Sequence, residues 1–344
     1  MKNYRQVLLG VVLTILVLSR TGFTLPTFNE YLIDNNTHGT SSIFLCDIDG
    51  DGRKDLVASV IEENSMVWFR NEGGIPVQWT KHVIDPAFSA AWGVYAADID
   101  GDGHMDVLGA AGYMGEDEVA WWRNSGADPI TWEKHTIRAD LPFAHEVYAI
   151  DFDSDGRMDV FAAASDCNSI LWWHNNGGNP ITWTEQTIDS TFAGAKSVRV
   201  GDIDGDSDND VVGAALSNRQ IAWWRNDGGS PIVWAKTVIA YLDRVWPLDA
   251  GDLDDDGDID VFAASSHVGS NEVKWWENLL RGDTNDDQII NVSDVIHLIN
   301  YLFKGGSAPD PLRDGDVNCD GEVYVSDVIY LINYLFKAGP KSCQ

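Results

Sequence analysis

One acidic nonapeptide recurs five times along this chain. The copies begin at Asp47, Asp98, Asp151, Asp202 and Asp252, at spacings of 51, 53, 51 and 50 residues. Self-similarity at this period is the mark of a solenoid or a propeller. Each copy sets aspartate at positions 1, 3, 5 and 9, as in Asp98-Ile99-Asp100-Gly101-Asp102-Gly103-His104-Met105-Asp106. Four carboxylates in nine residues repel one another unless a cation lies between them, and oxygen donors in this number suit a hard ion such as calcium. Glycine at position 6 (Gly52, Gly103, Gly156, Gly257) permits the positive-φ turn that aims the carboxylates inward. The plainer reading is a set of solvated Asp-Gly turns. Five copies in register argue against it.

Between acidic loops the chain shows strand-length runs with no helical periodicity. In one unit, Val94–Ile99 leads into the loop and Asp106–Ala111 leaves it. Glu118–Arg123 and Trp132–Ile137 follow, separated by turn residues. Four short antiparallel strands per repeat make a propeller blade. Paired aromatics at one repeat position (Trp68-Phe69, Trp121-Trp122, Trp172-Trp173, Trp223-Trp224, Trp275-Trp276) support this. Neighbouring strand residues point to opposite faces, so both rings are buried only where both faces of the sheet are covered. The fourth strand recurs at Trp79–Asp85, Trp132–Arg138, Trp183–Asp189 and Trp234–Ala240, and earlier at Phe28–Asp34. That early copy is expected to complete the last blade and close an all-β propeller of five four-stranded blades. A ring of seven blades would need copies that the sequence does not show.

The Asp-x-Asp-x-Asp-Gly-x-x-Asp loop, flanked by an apolar strand and a short Val/Ala run, resembles the FG-GAP or VCBS repeat of calcium-binding propellers over residues 28–279. The resemblance implies that each loop joins the first two strands of a blade and holds a structural calcium ion. It implies as ligands Asp47, Asp49, Asp51 and Asp55; Asp98, Asp100, Asp102 and Asp106; Asp151, Asp153, Asp155 and Asp159; Asp202, Asp204, Asp206 and Asp210; and Asp252, Asp254, Asp256 and Asp260. It adds the position-7 carbonyls of Arg53, His104, Arg157, Asp208 and Asp258. The fourth copy departs from the pattern with Ser207 at the glycine position, and weaker binding is expected there.

Positions that recur serve the blade, whereas positions that differ are free to serve a ligand. The residues just before each inner strand differ: Ser41-Ser42, Ala91-Trp92, His145-Glu146, Lys196-Ser197 and Arg244 with Trp246. They sit at the opposite end of the strand from the acidic loop. Trp92, His145, Glu146, Lys196, Arg244 and Trp246 are the candidate ligand-binding patch. Ordinary loop drift is the alternative.

From Gly282 the pattern changes. Asp283, Asn285, Asp287 and Asp294 fall at positions 1, 3, 5 and 12 of a second loop type, and a helix follows with Val295, Leu298, Ile299, Leu302 and Phe303 on one face. The unit repeats 33 residues later with Asp316, Asn318, Asp320 and Asp327. Position 7, a backbone-carbonyl ligand in such loops, is Ile289 and Glu322. Two EF-hand-like loop–helix halves joined through Pro309 and Pro311 resemble a type I dockerin domain, with Gln288 where glycine is usual and Gly321 keeping the rule. The resemblance implies two calcium ions, a small all-α fold and a cohesin partner. Contact candidates are Val292, Ser293, Val325 and Ser326, with His297 and Tyr330 nearby. The near-identical halves suggest that either can face the partner. Docking onto the propeller itself is the alternative.

Residues 1–25 read as a secretory signal peptide, with Lys2 and Arg5 before the apolar stretch Val7–Leu18. The domains expected are thus 1–25, a propeller over 26–279 and a dockerin over 280–344. Secretion is expected, with tethering at the cell surface through the dockerin. The net charge of −31 argues against nucleic acid and anionic membranes as partners. Four cysteines are too few for a disulfide scaffold. Cys46 and Cys167 read as buried small residues, and Cys319 with Cys343 as a pair that either bonds or stays free.

Three functions stay open. The first is a secreted, calcium-stabilised, non-catalytic module that binds a glycan or protein and is anchored by its dockerin. The second is a polysaccharide lyase or glycoside hydrolase on the propeller face. The third is a structural part of a surface assembly. No nucleophile elbow, zinc-protease motif or phosphate loop occurs. His145 beside Glu146 is the one candidate acid–base pair, and adjacent strand residues point apart.

Overall fold

The computed structural model describes residues 30–112, 117–206, 208–253, 258–265, 272–278, 282–285, 287, 290–309, 312–318 and 320–337. The expected signal peptide, residues 1–25, lies outside them, as do Cys319 and Cys343. Blade one is built from β1 (Thr40–Cys46), β2 (Asp55–Val60), β3 (Ser65–Gly73) and β4 (Gln78–Asp85). Blade two has β5 (Ala91–Ala97), β6 (Asp106–Ala111), β7 (Glu118–Asn124) and β8 (Trp132–Ala139). Blade three has β9 (Ala144–Ile150), β10 (Asp159–Ala164), β11 (Ser169–Asn175) and β12 (Trp183–Asp189). Blade four has β13 (Ala195–Gly201), β14 (Asp210–Ala215), β15 (Gln220–Asn226) and β16 (Trp234–Tyr241). Blade five has β17 (Val245–Gly251), β18 (Asp260–Ser265) and β19 (Val273–Trp276). Each sheet is a meander whose neighbours in sequence are neighbours in space. The architecture is a five-bladed β-propeller, and the inner strands β1, β5, β9, β13 and β17 pack each on the next.

The tryptophan pairs hold the blades together. In the pairs of blades two and three the first ring faces the following blade and the second the preceding one. Trp68 and Trp122 meet in the core between blades one and two, Trp121 and Trp173 in the next, Trp172 and Trp224 in the third. All six are buried. Burying a large aromatic contributes roughly 2–3 kcal/mol, so this one position supplies much of the adhesion. Gly93 lets two inner strands come together, because a Cβ there would lie 2.9 Å from the His145 carbonyl oxygen.

Blade five differs. Among the described residues its sheet has three strands. Glu30–Asp34, from the segment expected to supply the fourth, carry no strand, and Phe28 and Asn29 lie outside the described residues. In blades two to four the last strand enters through an Ile-x-Trp step. Ile130 and Trp132, Ile181 and Trp183, and Ile232 and Trp234 pack against the core shared with the preceding blade. The corresponding place beside blade five is a groove of about 360 Å³ lined by Ile203, Trp223, Ile239, Ile259, Val261 and Trp276. The expectation of a buried pair fails at Trp275, which is 43% exposed. Cys46 is buried as expected, but Cys167 is only partly so.

Two helices follow, α1 (Val292–Lys304) and α2 (Val325–Lys337), with a 3-10 turn at Leu312–Gly315 between them. Asn291 caps α1 in a capping box with Asp294, and Gly305 ends it in the left-handed conformation. Val295, Leu298, Val317, Val328 and Leu331 form their small core. No helix of the described residues is long and apolar enough to cross a membrane.

Candidate functional site

Each acidic loop joins the first and second strands of its blade, and its geometry follows from two aspartates. The position-1 carboxylate folds the loop around itself. Asp47 accepts from the N–H groups of Asp51 and Gly52 at 3.1 and 2.8 Å, Asp98 from Asp102 and Gly103 at 3.0 and 2.9 Å, and Asp151 from Asp155 and Gly156 at 3.0 Å each. Gly52, Gly103 and Gly156 need φ of +85 to +88° for this. The position-9 aspartate opens the second strand and is fully buried in all five blades. One of its oxygens accepts from an asparagine N–H on, or in blade five just after, the third strand: Asn71, Asn124, Asn175, Asn226 and Asn278, each at 2.7 Å. Burial, reinforced by neighbouring carboxylates, pushes Asp106 and Asp210 up to about 7 and Asp159 to about 6. A carboxylate so unfavourable to ionise in isolation needs a positive neighbour.

The donor set fits calcium. Carboxylate oxygens of Asp47, Asp49 and Asp55 lie within 4.8 Å of one another, as do those of Asp98, Asp100 and Asp106, and of Asp202, Asp204 and Asp206. Asp51 pairs with Arg53 and Asp102 with Arg123. In loop five, Asp252, Asp258 and Asp260 are described, whereas Asp254 and Asp256 lie outside the described residues, as does Ser207 in loop four. The position-7 residues Arg53, His104, Arg157 and Asp208 lie in the described turns. In the C-terminal region, Asp283, Asp287 and Asp294 converge within 4.8 Å. Asp294 accepts from Thr284, Asn285 and Asn291, and Asp327 from Asn318 and Tyr324. Asp316 accepts from Asp320 and Gly321 as the first-loop aspartates do. Glu322 is described and Ile289 is not.

The recurring asparagine is the residue that sequence reasoning missed. Asn124 Nδ2 donates to the carbonyl of Ile48 in the preceding blade at 2.9 Å, Asn175 to that of Ile99 at 3.2 Å, and Asn278 to that of Ile203 at 2.6 Å. In blade four Asn209 does this instead, reaching Phe152 at 2.9 Å. The first four loops are thus each tied to the next blade. The available signal was an asparagine two residues after every aromatic pair.

The patch residues lie within the inner strands rather than before them, Arg244 excepted. Each inner strand slips register at this point, between Thr40 and Ser42, Ala91 and Gly93, Ala144 and Glu146, Ala195 and Ser197, and Val245 and Leu248. A bulge re-aims the side chain it carries. Ser41, Trp92, His145, Lys196 and Trp246 are the residues so turned. Trp92 stacks on His145 at 5.0 Å, and Trp246 meets the same imidazole edge-on at 4.8 Å, bringing blades two, three and five together. Lys196 Nζ lies 4.3 Å from the Phe143 ring centroid and 5.9 Å from that of Trp92. Burial lowers Lys196 to about 8, and burial with the Lys196 charge lowers His145 to about 3. Arg244 is exposed at the entry to β17.

Three residues further along each strand lies a second chain of contacts. Phe44 packs on Tyr95 at 4.4 Å, Tyr95 on Tyr148 at 5.0 Å, Arg199 over Tyr148 at 5.6 Å, and Arg199 pairs with Asp249 at 2.7 Å. Glu146 belongs here. Its Oε1 holds Arg199 at 2.7 Å and its Oε2 accepts from Val198 N–H at 3.1 Å. Burial raises the Glu146 carboxyl and the Arg199 guanidinium opposes this. His145 and Glu146 therefore point apart into different clusters and do not share a proton. On the helices, Val292 and Ser293 are exposed, as are Val325 and Ser326.

The model of the FG-GAP-like repeat matches residues 47–109, 151–213 and 202–263, and that of the dockerin type I domain matches residues 281–336. No curated protein matches the chain. Among solved structures, an Agrocybe aegerita lectin described as recognising non-reducing terminal N-acetylglucosamine aligns at 19% identity over 74% of this chain and 68% of its own, with a TM-score of 0.46. Aleuria aurantia lectin aligns at 13% identity over 66% and 76%, with a TM-score of 0.40. An exo-beta-1,3-galactanase from Phanerochaete chrysosporium aligns at 12% identity over 70% and 60%, also at 0.40.

Proposed function

Because this chain belongs to the FG-GAP-like repeat family and carries a type I dockerin domain, we propose that it is a secreted, calcium-stabilised, non-catalytic binding module held on a cohesin-bearing scaffold or cell-surface protein. Five calcium ions sit in the propeller loops and two in the dockerin. They set the scaffold and do no chemistry. The ligand, a glycan or a protein, meets the bulged residues of the inner strands, with Trp92 and Trp246 as stacking surfaces and Lys196 and Arg244 as polar contacts. One observation carries this reading. The bulge recurs in every blade while the side chain on it does not, so the backbone device is constant and the chemistry it presents is particular to this protein. Against catalysis stands the separation of His145, buried and neutral, from Glu146, tied to Arg199.

The test incubates the full chain, with calcium, on a panel of immobilised polysaccharides and measures both retention and released sugar. Retention without release, lost in Trp92→Ala and Trp246→Ala, is the expected result. Release of sugar overturns the non-catalytic reading. Neither retention nor release removes the glycan and leaves the protein ligand.

A further inference from the structure

We propose that the groove between blades two and three, at the acidic-loop end of the blades, binds a neutral sugar. It stands apart from the inner-strand patch and does not depend on it. The groove measures about 780 Å³, a size usual for small-molecule sites. Its two walls differ in chemistry. Blade two supplies Arg123, Glu133, His135 and Thr136, and blade three supplies Pro180, Ile181 and Trp183. A sugar ring has matching parts, with hydroxyl groups around its edge and C–H groups on its faces.

One side chain carries the argument. His135 stacks on Trp121 with ring centroids 4.7 Å apart and planes 22° from parallel. Its Nε2 is buried and has no hydrogen-bond partner among the described residues. Glu133 Oε2 lies 3.9 Å from it, beyond hydrogen-bond reach. A buried ring nitrogen left unpartnered calls for a group to meet it. A sugar hydroxyl donates to it or accepts from it, whichever tautomer it holds. The blade itself does not require this histidine, because blades three and four set Gln186 and Thr237 opposite Trp172 and Trp223. Blade one repeats the device: His82 stacks on Trp68 at 4.7 Å and 21°, its Nε2 likewise unpartnered. That pair lines a smaller groove of about 250 Å³ with Arg70, Pro129, Ile130 and Trp132. Charge selects a neutral ligand. Arg123 is paired with both Asp100 and Asp102, Lys134 with Glu118, and Glu133 adds a further carboxylate. An anion would meet these carboxylates, whereas a hydroxyl can accept from the N–H donors that Arg123 does not spend on aspartate.

The experiment titrates the full chain, in saturating calcium, with cellobiose, xylobiose, mannobiose and chitobiose by ligand-observed NMR. Digalacturonic acid is the anionic control. His135→Phe keeps a ring over Trp121 and removes the nitrogen. Thr136→Trp puts bulk into the groove at an exposed position. Melting as in the parent shows that both variants fold. The expected result is binding of at least one neutral disaccharide, weakened roughly tenfold in His135→Phe, as for the loss of one buried hydrogen bond, and abolished in Thr136→Trp. Binding of no neutral disaccharide, preference for digalacturonic acid, or affinity unchanged in either variant overturns the proposal. Binding lost only in Trp92→Ala and Trp246→Ala would assign the sugar to the inner-strand patch and overturn it equally.

Discussion

At the scale of single residues, the most telling side chain is Asn124. It is fully buried, donates to Ile48 and Met105 carbonyls and accepts from Gly126 N–H. Truncation strands all three partners, and each buried unsatisfied group costs about 1–3 kcal/mol. Asn124→Ala should lose at least about 2 kcal/mol in urea unfolding. Asn71 occupies the same position in blade one, but its Nδ2 reaches only the exposed Lys54 carbonyl of its own blade, so Asn71→Ala should cost about 1 kcal/mol or less. Equal losses would deny the inter-blade role. His145 gives a pH signature. Its folded pKa, about 3, lies below that of an unfolded histidine, so between the two values only the unfolded chain takes up the proton and stability falls as pH falls. His145→Phe keeps an aromatic ring and removes that proton. Between pH 7 and pH 4.5 the variant should lose about 2–3 kcal/mol less than the parent, and parallel pH profiles would refute the assignment. Neither role was legible in the sequence. One asparagine after Trp-Trp-Arg reads as the start of a turn, and its partner lies 76 residues away. A bulge residue breaks the alternation that marks a strand, so Trp92 and His145 read as loop although they sit within β5 and β9.

At the scale of elements, what recurs at a fixed offset was legible, because a repeated local rule needs no knowledge of distant contacts. The four-strand blades, the acidic loops and the two loop–helix halves belong to that class. Blade five departs from the rule: among the described residues its sheet stops at β19, and Glu30–Asp34, from the segment expected to supply a fourth strand, carry no strand. The helices illustrate the legible case. Val292, Ile296 and Phe303 on α1 are 46, 52 and 63% exposed, and Val325, Ile329 and Phe336 on α2 are 47, 54 and 63% exposed. Two elements that bury Val295 with Leu298 and Val328 with Leu331 thus present the same apolar stripe twice. If either stripe suffices for a cohesin, Ile296→Asp or Ile329→Asp alone should shift affinity by no more than about twofold, the statistical factor for one of two equal sites. The double variant should lose binding by orders of magnitude. A full loss from one single substitution, measured by titration calorimetry, would assign docking to that helix alone.

At the scale of the whole molecule, charge decides. The chain carries −31, and twenty of its carboxylates are the aspartates of five loops. Seven calcium ions at +2 each would bring −31 to −17, so ion removal returns fourteen charges at once. Within a loop the carboxylate oxygens lie inside 4.8 Å, closer than the screening length of about 8 Å at physiological ionic strength. Between loops the repulsion acts over longer distances and is screened by salt. Two consequences separate. Excess chelator should lower the melting temperature of both the propeller and the dockerin transitions, by on the order of 10 °C if each domain loses a few kcal/mol. Adding salt to about 1 M, where the screening length falls to about 3 Å, should recover the part due to repulsion between loops and leave the part within them. Calcium should restore both; sodium should not. Scanning calorimetry in chelator, in chelator with salt, and after calcium is returned distinguishes the terms. An unchanged melting temperature in chelator would mean that the five loops are held by their own hydrogen bonds alone. Full recovery by salt would mean that bulk charge, not ion coordination, is what the aspartates contribute.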